Sequence, residues 1–163
     1  RQYLGLLGVG QRNDVKIYLP VADKLETEEQ AHPEATQDLK GSETILLVED
    51  NDQVRRLAKS VLSRNGYQVL DAKDGGEALD ILGGHDGPVH LLLSDVVLPG
   101  MNGKELYEEA LVMRPSLQVL YMSGYTGNVI AHRGVLDEGV QFIQKPFTVH
   151  WLAAKVRELL DEK

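Results

Sequence analysis

No cysteine occurs among the 163 residues, which removes disulfide frameworks and thiolate–metal sites from consideration. No apolar run approaches the ~20 residues needed to span a bilayer, so this segment is not expected to contact a membrane directly. Basic charge is in deficit, with 17 Lys and Arg against 25 Asp and Glu for a formal net charge of -8. Nucleic acids and anionic bilayers both demand basic patches, so neither is expected as a direct partner. His32, His85, His90, His132 and His150 are scattered without metal-ligand spacing. The pairs Gly75-Gly76 and Gly83-Gly84 read as turns, and neither belongs to a phosphate-binding P-loop. A starting methionine is missing too. The chain opens at Arg1, which reads as a piece of something longer with no signal peptide in view.

The apolar fraction of 42% and charged fraction of 26% are those of an ordinary globular protein. The length allows one domain with a full core plus an appendage. Composition divides the chain. Residues 23–42 carry Asp23, Glu26, Glu28, Glu29, Glu34 and Asp38 against Lys24 and Lys40, with Leu25 and Leu39 as the large apolar side chains. Such a segment buries too little to offset its ordering entropy and reads as a solvated acidic linker. Residues 1–22 and 43–163 lie on either side of it.

From residue 43 the pattern is regular. Ile45–Val48 is a short continuous apolar run, as a central parallel strand buried on both faces requires. Val54, Leu57, Ala58, Val61 and Leu62 follow at helical spacing, with Asn51 or Asp52 as N-cap and Asn65-Gly66 as a stop. Further strands are expected at residues 67–70, 91–93, 119–122 and 140–143. Helices are expected at 77–82, at about 104–113, up to about Glu138, and in a last stretch carrying Leu152, Val156, Leu159 and Leu160. Met101, Met113 and Met122 read as packing residues. Trp151, beside the last helix, reads as packing or as a partner contact. Five β-then-α units with short connections imply an α/β fold, a parallel sheet with helices on both faces. Ligands in such folds sit at the carboxyl ends of the strands.

Those ends carry chemistry. Glu49 and Asp50 follow the first strand, Asp95 ends the third, Ser123 ends the fourth, and Lys145-Pro146 ends the fifth. Three carboxylates at close quarters repel unless a cation joins them. Mg²⁺ is the natural candidate, being hard, oxygen-seeking and content with one or two carboxylates plus waters and phosphate oxygens. Asp50 and Asp95 would ligate it directly, and Glu49 directly or through water. A carboxylate can also attack phosphorus to give an acyl phosphate. Lys145 and the Ser123 hydroxyl could then help neutralise the equatorial oxygens.

The segments LLVEDN, LLLSDVVLPGMNG, LYMSGY and FIQKPF resemble, in order and in placement, the motifs of the response-regulator receiver family. The resemblance implies a doubly wound (βα)5 sheet of strand order 2-1-3-4-5, as in flavodoxin-like and CheY-like folds. It implies that Asp95 is the phosphoacceptor, Glu49 and Asp50 the acidic pair, Ser123 the switch hydroxyl and Lys145 the invariant lysine. The Val97 carbonyl would complete the metal shell. Pro146 matches a proline whose preceding peptide is usually cis, and Phe142 occupies the aromatic switch position. By this resemblance Ser123 moves toward phosphorylated Asp95, Phe142 fills the space vacated, and the surface of the fourth helix, fifth strand and fifth helix is remodelled. Gly127 and Gly134 weaken that fourth helix by roughly 0.8–1 kcal/mol each relative to alanine. Val97 and Tyr125 flank the approach of water in the family, and an apolar and an aromatic residue there imply a persistent phosphoryl group.

The stretch GVGQRNDVKIYLP, residues 8–20, resembles the closing strand of the ATPase domain of sensor histidine kinases, although Gln11, Arg12 and Asn13 replace the threonines common there. On that resemblance this is the cytoplasmic C-terminal receiver of a hybrid kinase, and a membrane anchor on the parent is compatible. Its partners would be a histidine kinase dimerisation domain or a histidine phosphotransfer domain, and a homodimer is compatible. A stand-alone response regulator is the alternative, disfavoured by an ending at Lys163 with no DNA-binding region. A Mg²⁺-dependent aspartyl phosphatase of the haloacid-dehalogenase type is a third reading. It generally carries a second aspartate two residues after the nucleophile, where this chain has Val97. A phosphorylation-independent interaction module is the fourth, and the complete acidic site speaks against it.

Overall fold

Alternate residues of the central strands face opposite ways, and here both faces are apolar. Ile45, Leu47, Leu91 and Leu93 join one buried cluster, while Leu46, Val48 and Leu92 join another. A computed structural model describes residues 38–124 and 141–162, all within one unit, Thr36–Lys163. Its strands are β1 (Thr44–Val48), β2 (Gln68–Ala72), β3 (Leu91–Asp95), β4 (Gln118–Ser123) and β5 (Phe142–Gln144). They pair in parallel in the order β2-β1-β3-β4-β5. The helices are α1 (Asp52–Arg64), α2 (Gly75–Gly84), α3 (Gly103–Met113) and a C-terminal helix, Val149–Asp161. The expected doubly wound α/β fold is therefore present. Helix α1 and the C-terminal helix pack on the first cluster, α2 and α3 on the second.

Local signals start the helices. Asn51 caps α1 by accepting from the amides of Gln53 and Val54, and Asp74 caps α2 through Glu77 N–H. Asn102 and Glu105 form a reciprocal capping box on α3, and Thr148 accepts from Trp151 N–H. Each cap satisfies amides that the first helical turn leaves without a partner.

Several expectations shift. Gly75-Gly76 is no separate turn but the first turn of α2, because Asp74 caps ahead of it. Gly75 also lets Met101 approach, since a Cβ there would lie 2.9 Å from the Met101 sulfur. Leu57 belongs to the expected apolar stripe yet is 48% exposed. Met122 is buried and Met101 partly so, whereas Met113 is exposed. Trp151 lies within the C-terminal helix and packs against the first cluster.

The docked chain begins before residue 43. Leu39 packs on the first cluster, Gly41 N–H donates to Asn65 O at 2.9 Å, and Arg157 donates to Lys40 O. The N-terminal strand, the rest of the acidic linker and the helix expected after β4, with Tyr125, Gly127 and Gly134, lie outside the described residues.

Candidate functional site

Parallel pairing brings the carboxyl ends of β1, β3, β4 and β5 to one edge. Glu49 leaves β1 there with its amide on Ala72 O at 3.2 Å and only 1% of its surface exposed. Asp50 follows, exposed. Asp95 closes β3, buried Ser123 closes β4, and Lys145 follows β5 with its amide on Ser123 O at 2.6 Å. The Lys145–Pro146 peptide is cis.

Lys145 Nζ reaches both Glu49 Oε2, at 2.5 Å, and Asp95 Oδ2, at 2.7 Å. The second Asp95 oxygen, Oδ1, accepts from Val97 N–H at 3.2 Å. Ligand oxygens of Glu49, Asp50 and Asp95 all lie within 4.8 Å of one another. Among the described residues, the ion pairs shown bring one ammonium to three clustered acids, which leaves surplus negative charge. Burial pushes the Glu49 carboxyl up from its ordinary range; the Lys145 hydrogen bond and charge oppose that, and the Asp95 charge adds to it. Burial alone would lower Lys145, but its hydrogen bonds to Asp95 and Glu49 outweigh that and raise it.

The donor set suits Mg²⁺. All three candidate ligands are carboxylates, one of them exposed enough to leave room for water, and among the described residues no imidazole or thiolate joins them. Val97, 63% exposed beside Asp95, presents no side-chain ligand. Phe142 is half-buried against Val96 and Tyr121, its register partner.

Residues that the sequence pattern left unmarked complete the scaffold. Ser94 Oγ donates to Asp95 O at 2.8 Å. Gly103 N–H donates to Val96 O, and a Cβ on Gly103 would sit 2.4 Å from Asp95 O. Only a glycine lets α3 begin so close to the Asp95 backbone. Arg55 of α1 donates to the carbonyls of Glu49 and Asp50. Gly103 could have been suspected from its place at the end of LPGMNG, whereas Arg55 looks like any charged helical residue.

The family model for the response regulator receiver domain matches residues 45–157. The chain belongs to that family. This receiver is 35% identical over 162 residues to the sensor kinase CckA of Brucella abortus, across 95% of this chain and 17% of that protein. It is 29% identical to the response regulator receiver protein CpdR of the same organism, over 71% of the chain and 95% of CpdR. Among solved structures, the receiver domain of the hybrid histidine kinase CckA superposes with a TM-score of 0.62 at 38% identity, covering 72% of this chain and 99% of that one. A CheY-like receiver from Methanospirillum hungatei gives 0.62 at 31% identity, over 75% of this chain and 96% of that one. The chain thus spans about a sixth of the length of CckA. Receiver domains of two-component systems generally bind Mg²⁺ at an acidic pocket, and the acidic cluster here is of that kind. Among the described residues no helix is long and apolar enough to cross a membrane.

Proposed function

We propose that this receiver takes a phosphoryl group from a phosphohistidine onto Asp95 in a Mg²⁺-dependent reaction, and that the adduct switches the surface around β5 and the C-terminal helix. The observation that carries the reading is the placement of Lys145 between Glu49 and Asp95, beside three clustered carboxylates. An Asp95 carboxylate oxygen forms a bond to phosphorus as the phosphorus–nitrogen bond of the donor breaks, and the imidazole leaves with that electron pair. Val97 N–H holds Oδ1 in place, and the Lys145 ammonium is positioned to pair with a phosphoryl oxygen once it releases Oδ2. Glu49, Asp50, Asp95 and the Val97 carbonyl would hold Mg²⁺, which supplies further positive charge to the transferring oxygens. Ser123 moves toward the adduct and Phe142 follows by packing inward, a shift between two populated arrangements.

The alignment to CckA supports a hybrid-kinase setting. It reaches 95% of the chain, so it runs through most of residues 1–42 ahead of the receiver. In that setting residues 1–22 are the end of a kinase ATPase domain, 23–42 a tether, and 43–163 a cytoplasmic receiver served by a histidine kinase dimerisation domain or a histidine phosphotransfer domain. The test is intact mass after incubation with acetyl phosphate. Wild type should gain one phosphoryl group only with Mg²⁺, and Asp95→Asn should gain none. An adduct on Asp95→Asn, or none on folded wild type in Mg²⁺ even with beryllofluoride as a trap, would sink the proposal.

A further inference from the structure

Asp50 and its surroundings pose a problem of aim. Its carboxylate is exposed, and among the described residues no hydrogen bond or ion pair holds it, yet it sits with Glu49 and Asp95 in one cluster. What is held is the backbone on either side. Arg55 Nη1 donates to Glu49 O at 2.7 Å and to Asp50 O at 3.4 Å. These are successive carbonyls, so the contact spans both peptide planes flanking Asp50. From the other side, Asn51 N–H donates to Glu49 Oε1 at 3.3 Å.

The guanidinium is itself fixed. Nη2 pairs with Asp52 on its own helix, and Nε lies 3.7 Å from Asp71 Oδ2 on β2. Lys59 Nζ holds the other Asp71 oxygen at 2.5 Å. Arg55 therefore ties three parts together: helix α1, strand β2 and the loop that carries the acidic pair. Its side chain is 15% exposed, and a planar fork of five donors suits such a junction where a lysine would not.

We infer that Arg55 is a positioning residue for Asp50, setting the direction of a metal-ligating carboxylate through the backbone of residues 49 and 50. The inference rests on the Mg²⁺ reading above. Charge and position make opposite predictions here. A guanidinium near three carboxylates repels an incoming divalent cation, so removing it should tighten Mg²⁺ binding if charge were its only contribution. Removing a clamp behind a ligand loosens binding instead, and groups that orient metal ligands typically matter by about 10–100-fold in affinity.

The experiment is an amide chemical-shift titration with MgCl2 on the 163-residue chain, comparing wild type, Arg55→Met and Arg55→Lys. Arg55→Lys keeps the charge and loses the fork, and it serves if the methionine variant fails to fold. Weaker Mg²⁺ binding is expected in both, by roughly tenfold in Arg55→Met. Because Arg55 touches no reacting atom, the acetyl phosphate reaction of either variant should recover the wild-type rate at saturating Mg²⁺. Unchanged or tighter Mg²⁺ binding in the folded variants would overturn the inference. So would a lowered maximal rate with an unchanged Mg²⁺ requirement. Failure of wild type to bind Mg²⁺ at all would instead sink the reading beneath it.

Discussion

Two glutamates, at opposite edges of the sheet, each face one cation, and their carboxyls move in opposite directions. At the carboxyl edge, Glu49 is buried beside Lys145, and burial prevails to push it up. At the other edge, Glu43 meets Arg157 through 2.9 and 3.3 Å hydrogen bonds, and chiefly those bonds hold it below its ordinary range. Arg157 also reaches Lys40 O, Tyr67 OH and Asp161. Its ring of acceptors joins residues 38–43 to the C-terminal helix. Burial sets the direction at Glu49 and hydrogen bonding sets it at Glu43, and the charge balance around the two also differs. A guanidinium spread over a half-exposed rim satisfies its acids, whereas one ammonium among three clustered carboxylates leaves charge over. Ion pairing alone therefore does not distinguish a structural cluster from a reactive one; the uncompensated remainder does.

Substitutions at the two cations should separate these edges. Lys145→Met leaves Glu49 buried against Asp95 without its partner, and breaking a buried pair in this way typically costs about 3–5 kcal/mol. Urea unfolding should show that loss, and Mg²⁺ should restore part of it. If Mg²⁺ gives this variant no more protection than wild type, the carboxylates do not act as a shared cation site. Arg157→Met should cost less, about 1.5–3 kcal/mol for hydrogen bonds to charged groups. That loss should be indifferent to Mg²⁺, with the gain of one phosphoryl mass unchanged; a Mg²⁺-dependent recovery would erase the contrast.

The smallest effect is the most specific. The folded-state carboxyl of Glu43 is lowered, so its contribution is fully present above the unfolded value near pH 4.5 and is lost as pH falls through the folded value. The stability gap between wild type and Glu43→Gln, measured by urea unfolding, should be flat from pH 7 to about pH 5.5. Below pH 4.5 it should close. A gap that widens in acid would contradict the assignment of Arg157 as the stabilising partner.

Much of this was legible in the residues. The Leu-rich runs at 45–48 and 91–93 read as strands because both faces of a central parallel sheet are buried, and the strand ends named the acidic pair, Asp95, Ser123 and Lys145 without help from geometry. Leu57 misled because helical spacing marks a stripe but not its width; the buried positions of α1 are Ala58, Val61 and Leu62. Gly75-Gly76 misled because a cap one residue earlier overrides weak propensity. Leu39 was lost in an acidic surrounding, although its packing, with the Gly41 and Lys40 hydrogen bonds, docks the segment before β1. Arg55 was invisible for a different reason. Its role depends on two carbonyls, and carbonyls have no letter in a sequence.

The docking of residues 38–42 has a geometric corollary. Gly41 sits so close to Tyr67 that a Cβ would fall 2.1 Å from the ring, and Gly66 turns beneath it at φ 95°. Residues 38–42 thus sit at the foot of β1, while Asp95 lies at the head of β3. A five-residue strand separates foot from head by about 17 Å. In the hybrid-kinase setting proposed above, a donor carried ahead of residue 38 would have to cover that distance to reach Asp95. At ~3.3 Å per extended residue, that separation equals about five residues of extended chain. In that setting the length of chain ahead of residue 38, more than its sequence, would decide whether a chain can serve its own aspartate or must offer it to a neighbour.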